Sequence, residues 1–257
     1  MRILLTNDDG IYAPGLRALR KELRHLGEVI VVAPATEQSA VGHSITLLTP
    51  LLVQEVLDEE QQFLGWAVEG RPADCVKLAL MELLLEPPDL IVSGLNAGAN
   101  AGINVLYSGT VAAAIEGAFF QRTSIAVSQE YTRPKPLDFA QGAALARKVI
   151  EQILAQHPPT GTLFNVNIPS PDKGPVRGIR VVPQNVAPYV EKFDRRVDPR
   201  GRVYFWTTPD FQCPEPHPDT DVTVLAESYI TVTPLQFDLT HRVMLETMNG
   251  WRWEWKM

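Results

Sequence analysis

Cysteine is scarce in this sequence. Cys75 and Cys213 are the only two among 257 residues, and they lie far apart with no CxxC pair. This spacing provides no disulfide framework, so we expect a reduced, cytoplasmic protein. No run approaches the roughly 18 apolar residues of a membrane helix, and the first apolar run is too short for a signal peptide. We therefore expect no membrane partner.

Positive charge is also in short supply. Asp and Glu number 30 against 23 Lys and Arg, which gives a net charge of -7. A protein that binds a nucleic-acid polymer needs a basic surface to displace counterions, so that class is disfavoured. A small phosphorylated ligand stays compatible with this composition, because one local cation can outweigh the overall sign.

Several motifs of common sites are missing. The turn after the first apolar run carries Gly10 instead of GxGxxG, and the acidic residues there would repel a dinucleotide pyrophosphate. The sequence contains no GxSxG nucleophile motif. Its five histidines are scattered and form no HExxH, which disfavours a zinc site.

What is present is an alternation of apolar strands and amphipathic helices. "RILLT" (2–6) and "EVIVVAP" (28–34) flank a helical stretch that begins near Pro14 and ends at Gly27. Both strands are continuous apolar runs, which is typical of a parallel sheet covered on both faces. The segment therefore predicts a βαβ unit.

The same rhythm continues to about residue 170. We predict helices over 71–84, 110–120 and 137–156, and strands over 89–94, 124–129 and 162–169. Hydrophobic residues make up 45% of the chain, which is enough for a sizeable core. Residues 1–170 are therefore predicted to form an α/β catalytic core, a Rossmann-like, doubly wound and mostly parallel sheet.

Residues 171–257 do not show this alternation of strands and helices. They contain an aromatic strand at 202–208, a β-rich run with an interior break at 222–233 and the terminal stretch "WRWEWKM". We predict a β-hairpin and an extended C-terminal arm. Exposed aromatic residues on an arm often pack on another subunit, so a homo-oligomer is expected. The alternative is that the arm folds back on its own core.

Two adjacent carboxylates, Asp8 and Asp9, follow the first strand. Ligands of open α/β sheets bind beyond the carboxyl ends of the strands. Two unit charges about 4 Å apart repel by about 4 kcal/mol at an effective dielectric of 20, and a divalent cation reverses the sign of that energy. Mg²⁺ and Mn²⁺ prefer such oxygen ligands. The alternative is that the pair only shapes a turn.

The loop after the second strand supplies Ser39 and His43. Ser39 has no evident histidine partner for nucleophilic chemistry, so we interpret it as a ligand or positioning group. A lone histidine such as His43 is more often a structural hydrogen-bonding residue than a catalyst.

A glycine-rich loop follows the strand at 89–94. It carries Asn96 and Asn100 among small residues, which suits a loop that wraps closely around a ligand. The stretch 108–110 ("SGT") then begins a helix whose unpaired backbone N–H groups suit a phosphate. The alternatives are an ordinary connecting loop and a simple N-cap.

Five stretches together resemble the successive signature blocks of the survival protein SurE family. They are "ILLTNDDGIYAPGLRAL", "VVAPATEQSAVGHSIT", "GRPADCVKLAL", "PDLIVSGLNAGANAGINVLYSGTVAAAIEGA" and "YITVTPLQFDLT". The resemblance runs from residue 1 to about residue 240. It implies a metal-dependent 5'/3'-nucleotidase that acts on nucleoside monophosphates, and it leaves a side activity on short polyphosphate open. It also implies a Rossmann-like fold with C-terminal arms exchanged in a homodimer or homotetramer.

The resemblance further implies roles for individual residues. One divalent metal ion per subunit, Mg²⁺ or Mn²⁺, would be held by Asp8, Asp9, Ser39 and Asn96. The substrate phosphate would be bound by Asn100, Ser108, Gly109 and Thr110. The residues expected to take part in catalysis are Asp8, Asp9 and Asn100.

Two places depart from the family pattern. Arg71 stands where the family more often has Thr before the proline, and residues 185–218 match poorly. Arg71 is either a contact to phosphate or nucleobase or a solvated surface residue, and the second interpretation is favoured. The poor match leaves substrate preference open.

The expected chemistry is hydrolysis of a phosphomonoester by an activated water, with Asn100 and the helix start stabilising the transferring group. A direct Asp8 or Asp9 nucleophile is the alternative. A regulatory receiver domain also has an acidic pair after its first strand. It would need an acceptor Asp after the strand at 89–94, where Ser93-Gly94-Leu95-Asn96 stands instead.

Overall fold

The computed structural model describes residues 1–131, 137–207 and 213–255, and the elements below lie in these ranges. The strands are Arg2–Thr6 (β1), Glu28–Pro34 (β2), Val53–Leu57 (β3), Phe63–Val68 (β4), Leu90–Ala97 (β5), Thr123–Gln129 (β6), Leu163–Ile168 (β7), Ile179–Val181 (β8), Phe193–Val197 (β9), Val203–Thr207 (β10) and Ile230–Leu235 (β11). The α-helices are Pro14–Leu23 (α1), Pro72–Leu78 (α2), Gly109–Phe119 (α3), Phe139–Leu154 (α4), Asp221–Ala226 (α5) and Arg242–Asn249 (α6).

Nine strands form one sheet in the order β3-β4-β2-β1-β5-β6-β7-β11-β8. The strands from β4 to β7 in that order are parallel, whereas β3 pairs antiparallel with β4 and β11 pairs antiparallel with β7. The chain leaves β1 toward β2 on one side and returns to β5 on the other. This reversal beside β1 is the switch point at which ligands of such sheets bind. The predicted doubly wound, mostly parallel α/β sheet is confirmed.

Successive side chains of β1 point to opposite faces of the sheet, and both faces are covered by hydrophobic residues. Ile3 and Leu5 pack on one side with Leu16 and Leu19 of α1. Leu4 packs on the other side with residues of α2 and α3, including Val76. The continuous apolar runs of the strands therefore fill two hydrophobic layers and hold the loops at the sheet edge in place.

Two predicted elements differ in the structure. The helix predicted over 71–84 ends as α2 at Leu78 and continues only as a short π-helical turn over Ala79–Leu83. The prediction of β structure from residue 222 is wrong for the first half, because α5 lies there and only β11 is a strand. Thr220 and Thr223 form a capping box at the start of α5, and this local cap outweighs the β-branched composition.

The main sheet crosses the predicted boundary at residue 170, since β8 and β11 lie beyond it. The predicted hairpin is confirmed as the antiparallel pair β9–β10, which stands apart from the main sheet. The tail contains α6, which the sequence did not predict. Residue 208 of the predicted strand 202–208 and residues 256–257 of the terminal stretch lie outside the described residues. Within the described ranges, no helix has the length and apolar character needed to cross a bilayer.

Candidate metal and phosphate site

The turn after β1 is closed by the side chain of Asn7. Its amide donates to the carbonyl of Gly10 at 3.0 Å and accepts from the Gly10 N–H at 3.2 Å. Gly10 has φ +99°, a conformation that favours glycine. Asn7 was not among the predicted residues, although Asn followed by Gly three positions later is a recognisable turn signal. This turn presents Asp8 and Asp9 at the switch point.

Asp8 is buried against the first turn of α3. Thr110 Oγ1 donates a hydrogen bond to Asp8 Oδ1 at 2.5 Å. A Cβ atom on Gly109 would lie 2.8 Å from Asp8 Cβ, so only glycine allows this approach. Burial raises the pKa of Asp8, and the hydrogen bonds from Thr110 offset part of that rise.

The carboxylate of Asp9, like that of Asp8, lies in an environment that disfavours its ionised form. Burial, and then the charges of Asp8 and Glu37, raise the pKa of Asp9 to about 6, while a hydrogen bond from the Ala97 N–H opposes the rise. The Ala97 contact places Asp9 beside the end of β5. A cation between these carboxylates would reverse the effect of their mutual repulsion, because it favours both ionised forms.

The loop after β2 lies against the same turn. The Gln38 N–H donates to the Asp8 carbonyl at 2.7 Å, and Ser39 Oγ donates to Glu37 Oε1 at 2.6 Å. The structure therefore brings Ser39 into the neighbourhood of the acidic pair. Sequence reasoning missed Glu37, for which the only signal was an acidic residue two positions before a predicted ligand.

Asn96 is the next-to-last residue of β5, and Asn100 lies in the loop that follows the same strand. Asn96 Nδ2 donates to the Gly98 carbonyl at 2.8 Å, which leaves Oδ1 as the atom able to bind a cation. Asn100 is buried, and its Nδ2 donates to Ser128 Oγ at 2.7 Å. Ser128 is the β6 partner of Asn96, so the two asparagines face a shared polar region.

The backbone of Asn100 is fixed by two further carboxamides. Its N–H donates to Asn167 Oδ1 at 2.8 Å, and its carbonyl accepts from Asn165 Nδ2 at 2.7 Å and from Asn167 Nδ2 at 3.2 Å. Sequence reasoning missed this pair. The signal was the polar alternation in "FNVNI", where two asparagines interrupt an otherwise apolar strand.

Ser108 and Thr110 both have partners inside the protein. Ser108 Oγ accepts from the Val111 N–H at 3.1 Å, so this residue is the N-cap of α3. Thr110 directs its hydroxyl to Asp8. These two bonds hold the first turn of α3 in place, and Gly109 brings that turn against Asp8.

His43 and Arg71 were weighed from the sequence and left out of the site. His43 Nε2 lies 2.8 Å from Glu116 Oε2, and its ring stacks on Phe119. This is the structural role that was favoured. Arg71 is exposed and donates to Gln38 Oε1, which ties it to the loop beside Asp8.

The donor set fits a hard divalent cation. Within the described ranges no group of three or more His, Cys, Asp or Glu is arranged to hold a metal. A cation here would therefore combine Asp8 and Asp9 with neutral oxygens, those of Ser39 and Asn96. Two anionic oxygens completed by hydroxyl, amide and water oxygens suit Mg²⁺ or Mn²⁺ and do not suit a soft metal.

Comparisons with known proteins identify the family of this chain. The family model described as "Survival protein SurE" matches residues 3–191. The chain is 55% identical to the 5'-nucleotidase SurE of Rhodopirellula baltica over 255 residues, covering 98% of each chain. It is 47% identical to the 5'-nucleotidase SurE of Syntrophobacter fumaroxidans, covering 98% of this chain and 99% of the relative.

A solved structure shows the same architecture. The crystal structure of the SurE protein from Aquifex aeolicus superposes with a TM-score of 0.82 at 35% sequence identity, and the match covers 97% of this chain and 98% of that one. Sequence, fold and comparison therefore agree over almost the full length. The chain belongs to the survival protein SurE family.

Proposed function

We propose that this chain is a divalent-metal-dependent phosphomonoesterase that hydrolyses nucleoside 5'-monophosphates, and also 3'-monophosphates, to nucleoside and phosphate. The name 5'-nucleotidase SurE of relatives at 47% and 55% identity supports the 5' activity. The observation that carries the proposal is the packing of Asp8 against Gly109 and Thr110. It joins a carboxylate pair to a helix start at the switch point of the sheet.

Asp8, Asp9, Ser39 and Asn96 would hold the metal ion. When bound, Mg²⁺ or Mn²⁺ supplies Lewis-acid activation of a phosphate oxygen and of water. Asp8 is oriented by Thr110, and Asp9 is oriented by the Ala97 N–H. Both carboxylates are therefore held in one geometry before the substrate arrives, which lowers the reorganisation needed during the reaction.

Asn100 and the start of α3 would bind the phosphate. One hydrogen of the Asn100 amide is used by Ser128, and the second is available to a phosphate oxygen. The positive end of the α3 dipole, brought close by Gly109, attracts the dianionic phosphate and the charge on the transferring phosphoryl group. An Asp9 carboxylate can orient the attacking water and accept its proton.

The assembly is proposed to be a homodimer or homotetramer with exchanged C-terminal arms in the cytoplasm. The side chains of β9 and β10 are all exposed, including Phe205 at 58% and Trp206 at 60%. Trp255 near the C-terminus is 90% exposed. Exposed aromatic surface of this extent is typical of a protein-protein contact. Nucleoside monophosphates remain the expected substrates, and an action on short polyphosphate stays open.

Phosphate release tests the proposal directly. We expect release from AMP, GMP, 3'-AMP and an aryl phosphate in the presence of Mg²⁺ or Mn²⁺, and loss of release with EDTA. Asp8→Asn and Asp9→Asn should each reduce turnover by at least about 100-fold, and Asp194→Asn, at an exposed position of the hairpin strand β9, is the control. Release that survives chelation would refute the metal assignment, and full turnover by Asp8→Asn would refute the placement of the site.

A further inference from the structure

A carboxylate from the C-terminal half lies beneath the loop that carries Asn100. Asp221, the first residue of α5, is fully buried. Its Oδ2 accepts from the Gly102 N–H at 2.8 Å, and its Oδ1 accepts from the Asn185 N–H at 2.8 Å. Gly102 stands two positions after Asn100, so a residue far away in sequence holds the end of that turn.

Gly102 is held on its other sides as well. Gln184 Nε2 donates to the Gly102 carbonyl at 2.8 Å. The backbone of Gly102 has φ +60°, and a Cβ atom there would lie 3.1 Å from Val222 Cγ2. The N–H and the carbonyl of Gly102 are therefore bound by Asp221 and Gln184, and Val222 packs beside its Cα.

The preceding end of the turn is held by β7. The Asn165 and Asn167 carboxamides bind both backbone groups of Asn100. The turn from Asn100 to Gly102 is thus hydrogen-bonded to β7 at its first residue and to Asp221 at its last. A shift of Gly102 has to move the backbone of Asn100, because only Ala101 separates them.

We propose that Asp221 is a positioning residue for the substrate phosphate, which acts through Gly102 to keep the Asn100 amide aimed at the phosphate site. The inference rests on the proposed function, because it assigns Asn100 to the phosphate. It also adds Gln184 and Asp221, which lie beyond the predicted catalytic core, to the residues that shape the site.

The geometry separates this role from a general contribution to stability. The candidate metal ligands lie on the turn after β1, on the loop after β2 and at the end of β5, whereas the side-chain hydrogen bonds of Asp221 within the described ranges go to Gly102 and Asn185. Loss of the hydrogen bond between Asp221 and the Gly102 N–H should therefore weaken phosphate binding without changing the affinity for the metal ion. A purely structural residue would weaken both or neither.

Asp221→Asn tests this separation. The asparagine keeps one acceptor oxygen but turns an NH₂ group toward one of the two backbone N–H groups, so one hydrogen bond to a charged group is lost. We expect the Kd for inorganic phosphate, measured by calorimetry at saturating Mg²⁺, to rise about tenfold, together with the KM for AMP. The Kd for Mn²⁺ should stay within about twofold of wild type.

Asp74→Asn is the matched control. Asp74 is also a buried carboxylate, and it accepts from the backbone N–H groups of Thr46 and Arg71, away from the Asn100 turn. We expect this variant to lower the melting temperature to a similar degree and to leave the Kd for phosphate unchanged.

Gln184→Leu provides a second variant in case Asp221→Asn does not fold. It removes only the bond to the Gly102 carbonyl at a partly buried position, and we expect a rise of about threefold in the Kd for phosphate. A folded Asp221→Asn, or failing that a folded Gln184→Leu, with wild-type phosphate affinity overturns the inference. Equal weakening of phosphate and Mn²⁺ also overturns it. If wild type itself releases no phosphate from AMP, the proposed function fails first, whereas wild-type turnover with an unaffected variant rejects the positioning role alone.

Discussion

Thr110 Oγ1 donates its hydrogen to Asp8 Oδ1 at 2.5 Å, across 102 positions of the chain. Two loops that leave neighbouring strands of the sheet, β1 and β5, are joined by this contact at the point where the strand order reverses. The bond therefore links the proposed metal ligand to the helix start proposed to bind phosphate.

Replacing Thr110 should act through Asp8. Thr110→Val removes the hydroxyl while keeping the branched shape, so Asp8 loses the side-chain hydrogen bond from Thr110 and keeps the one from the Thr110 backbone N–H. We expect the Kd for Mn²⁺ to rise at least about tenfold, which is the usual cost of losing a hydrogen bond behind a metal ligand. Thr110→Ser keeps the hydroxyl and should restore affinity to within about threefold. Wild-type Mn²⁺ affinity in Thr110→Val would show that the bond has no role in metal binding.

Gly109→Ala should damage the site by crowding. The added Cβ would lie 2.8 Å from Asp8 Cβ and 3.0 Å from Asp8 Oδ2, so either the carboxylate or the helix must move. We expect a loss of about 1–3 kcal/mol in the free energy of unfolding and a fall in kcat of at least about tenfold. Gly250→Ala is the control, because Gly250 has φ -85° and its nearest neighbour is 3.4 Å from such a Cβ. Equal activity of the two variants would contradict the close packing at Gly109.

The contribution of Asp9 to the stability of the metal-free protein should fall as the pH rises from about 4 to about 6. The pKa of Asp9 is raised to about 6 in the folded state from an unfolded value of 3.8. The folded state then binds more protons in that interval, so the stabilisation is complete below pH 3.8 and is lost as the pH passes 6. Thermal melts of EDTA-treated wild type and Asp9→Asn between pH 4 and pH 7 test this, because only wild type has this titrating group.

Mn²⁺ should reverse that trend, because the ion binds the ionised carboxylates and competes with protons. The rise in melting temperature caused by Mn²⁺ is expected to be larger at pH 7.5 than at pH 5. An Mn²⁺ effect that does not depend on pH would argue against Asp9 as a ligand.

Asp9→Asn should raise the stability of the metal-free protein and abolish its response to metal. The isosteric amide keeps the acceptor for the Ala97 N–H and removes the charge that burial, Asp8 and Glu37 disfavour. We expect a gain of about 1 kcal/mol in the free energy of unfolding, after allowing for water at this partly exposed group. Chemical denaturation with and without Mn²⁺ measures both effects, and a destabilised metal-free variant would contradict the repulsion described above.

The aromatic hairpin should control assembly. Replacing Phe205 and Trp206 with Ser removes exposed apolar surface from β10 without touching the main sheet. Light scattering after size exclusion should show a lower mass than wild type, with an unchanged far-ultraviolet circular dichroism spectrum. A wild-type mass for the variant would place the subunit contact elsewhere.

Continuous apolar runs predicted the parallel strands β1, β2, β5, β6 and β7, because burial on both faces leaves that pattern in the sequence. Strand β4, which pairs parallel with β2, was not predicted. The polar residues at the ends of those runs predicted the loops that the structure brings together, since Asp8 and Asp9 follow the end of β1 and Asn96 is the next-to-last residue of β5. The capping box at Thr220 was not recognised, and so α5 was predicted as a strand.

Long-range partners were out of reach of the sequence. The bonds from Thr110 to Asp8 and from Gly102 to Asp221 depend on the packing of elements more than 100 positions apart. Glu37 raises the pKa of both site carboxylates although its own position in the sequence carries no motif. These contacts become visible only once the strand order is known.

The central claim is that Asp8 and Asp9 hold a divalent cation required for nucleotide hydrolysis. The most direct test is phosphate release from AMP by protein stripped with EDTA and then titrated with Mn²⁺, for wild type and Asp9→Asn side by side. We predict no release by either stripped protein and saturable restoration by Mn²⁺ in wild type alone. Release by stripped wild type, or equal restoration in Asp9→Asn, would contradict the account.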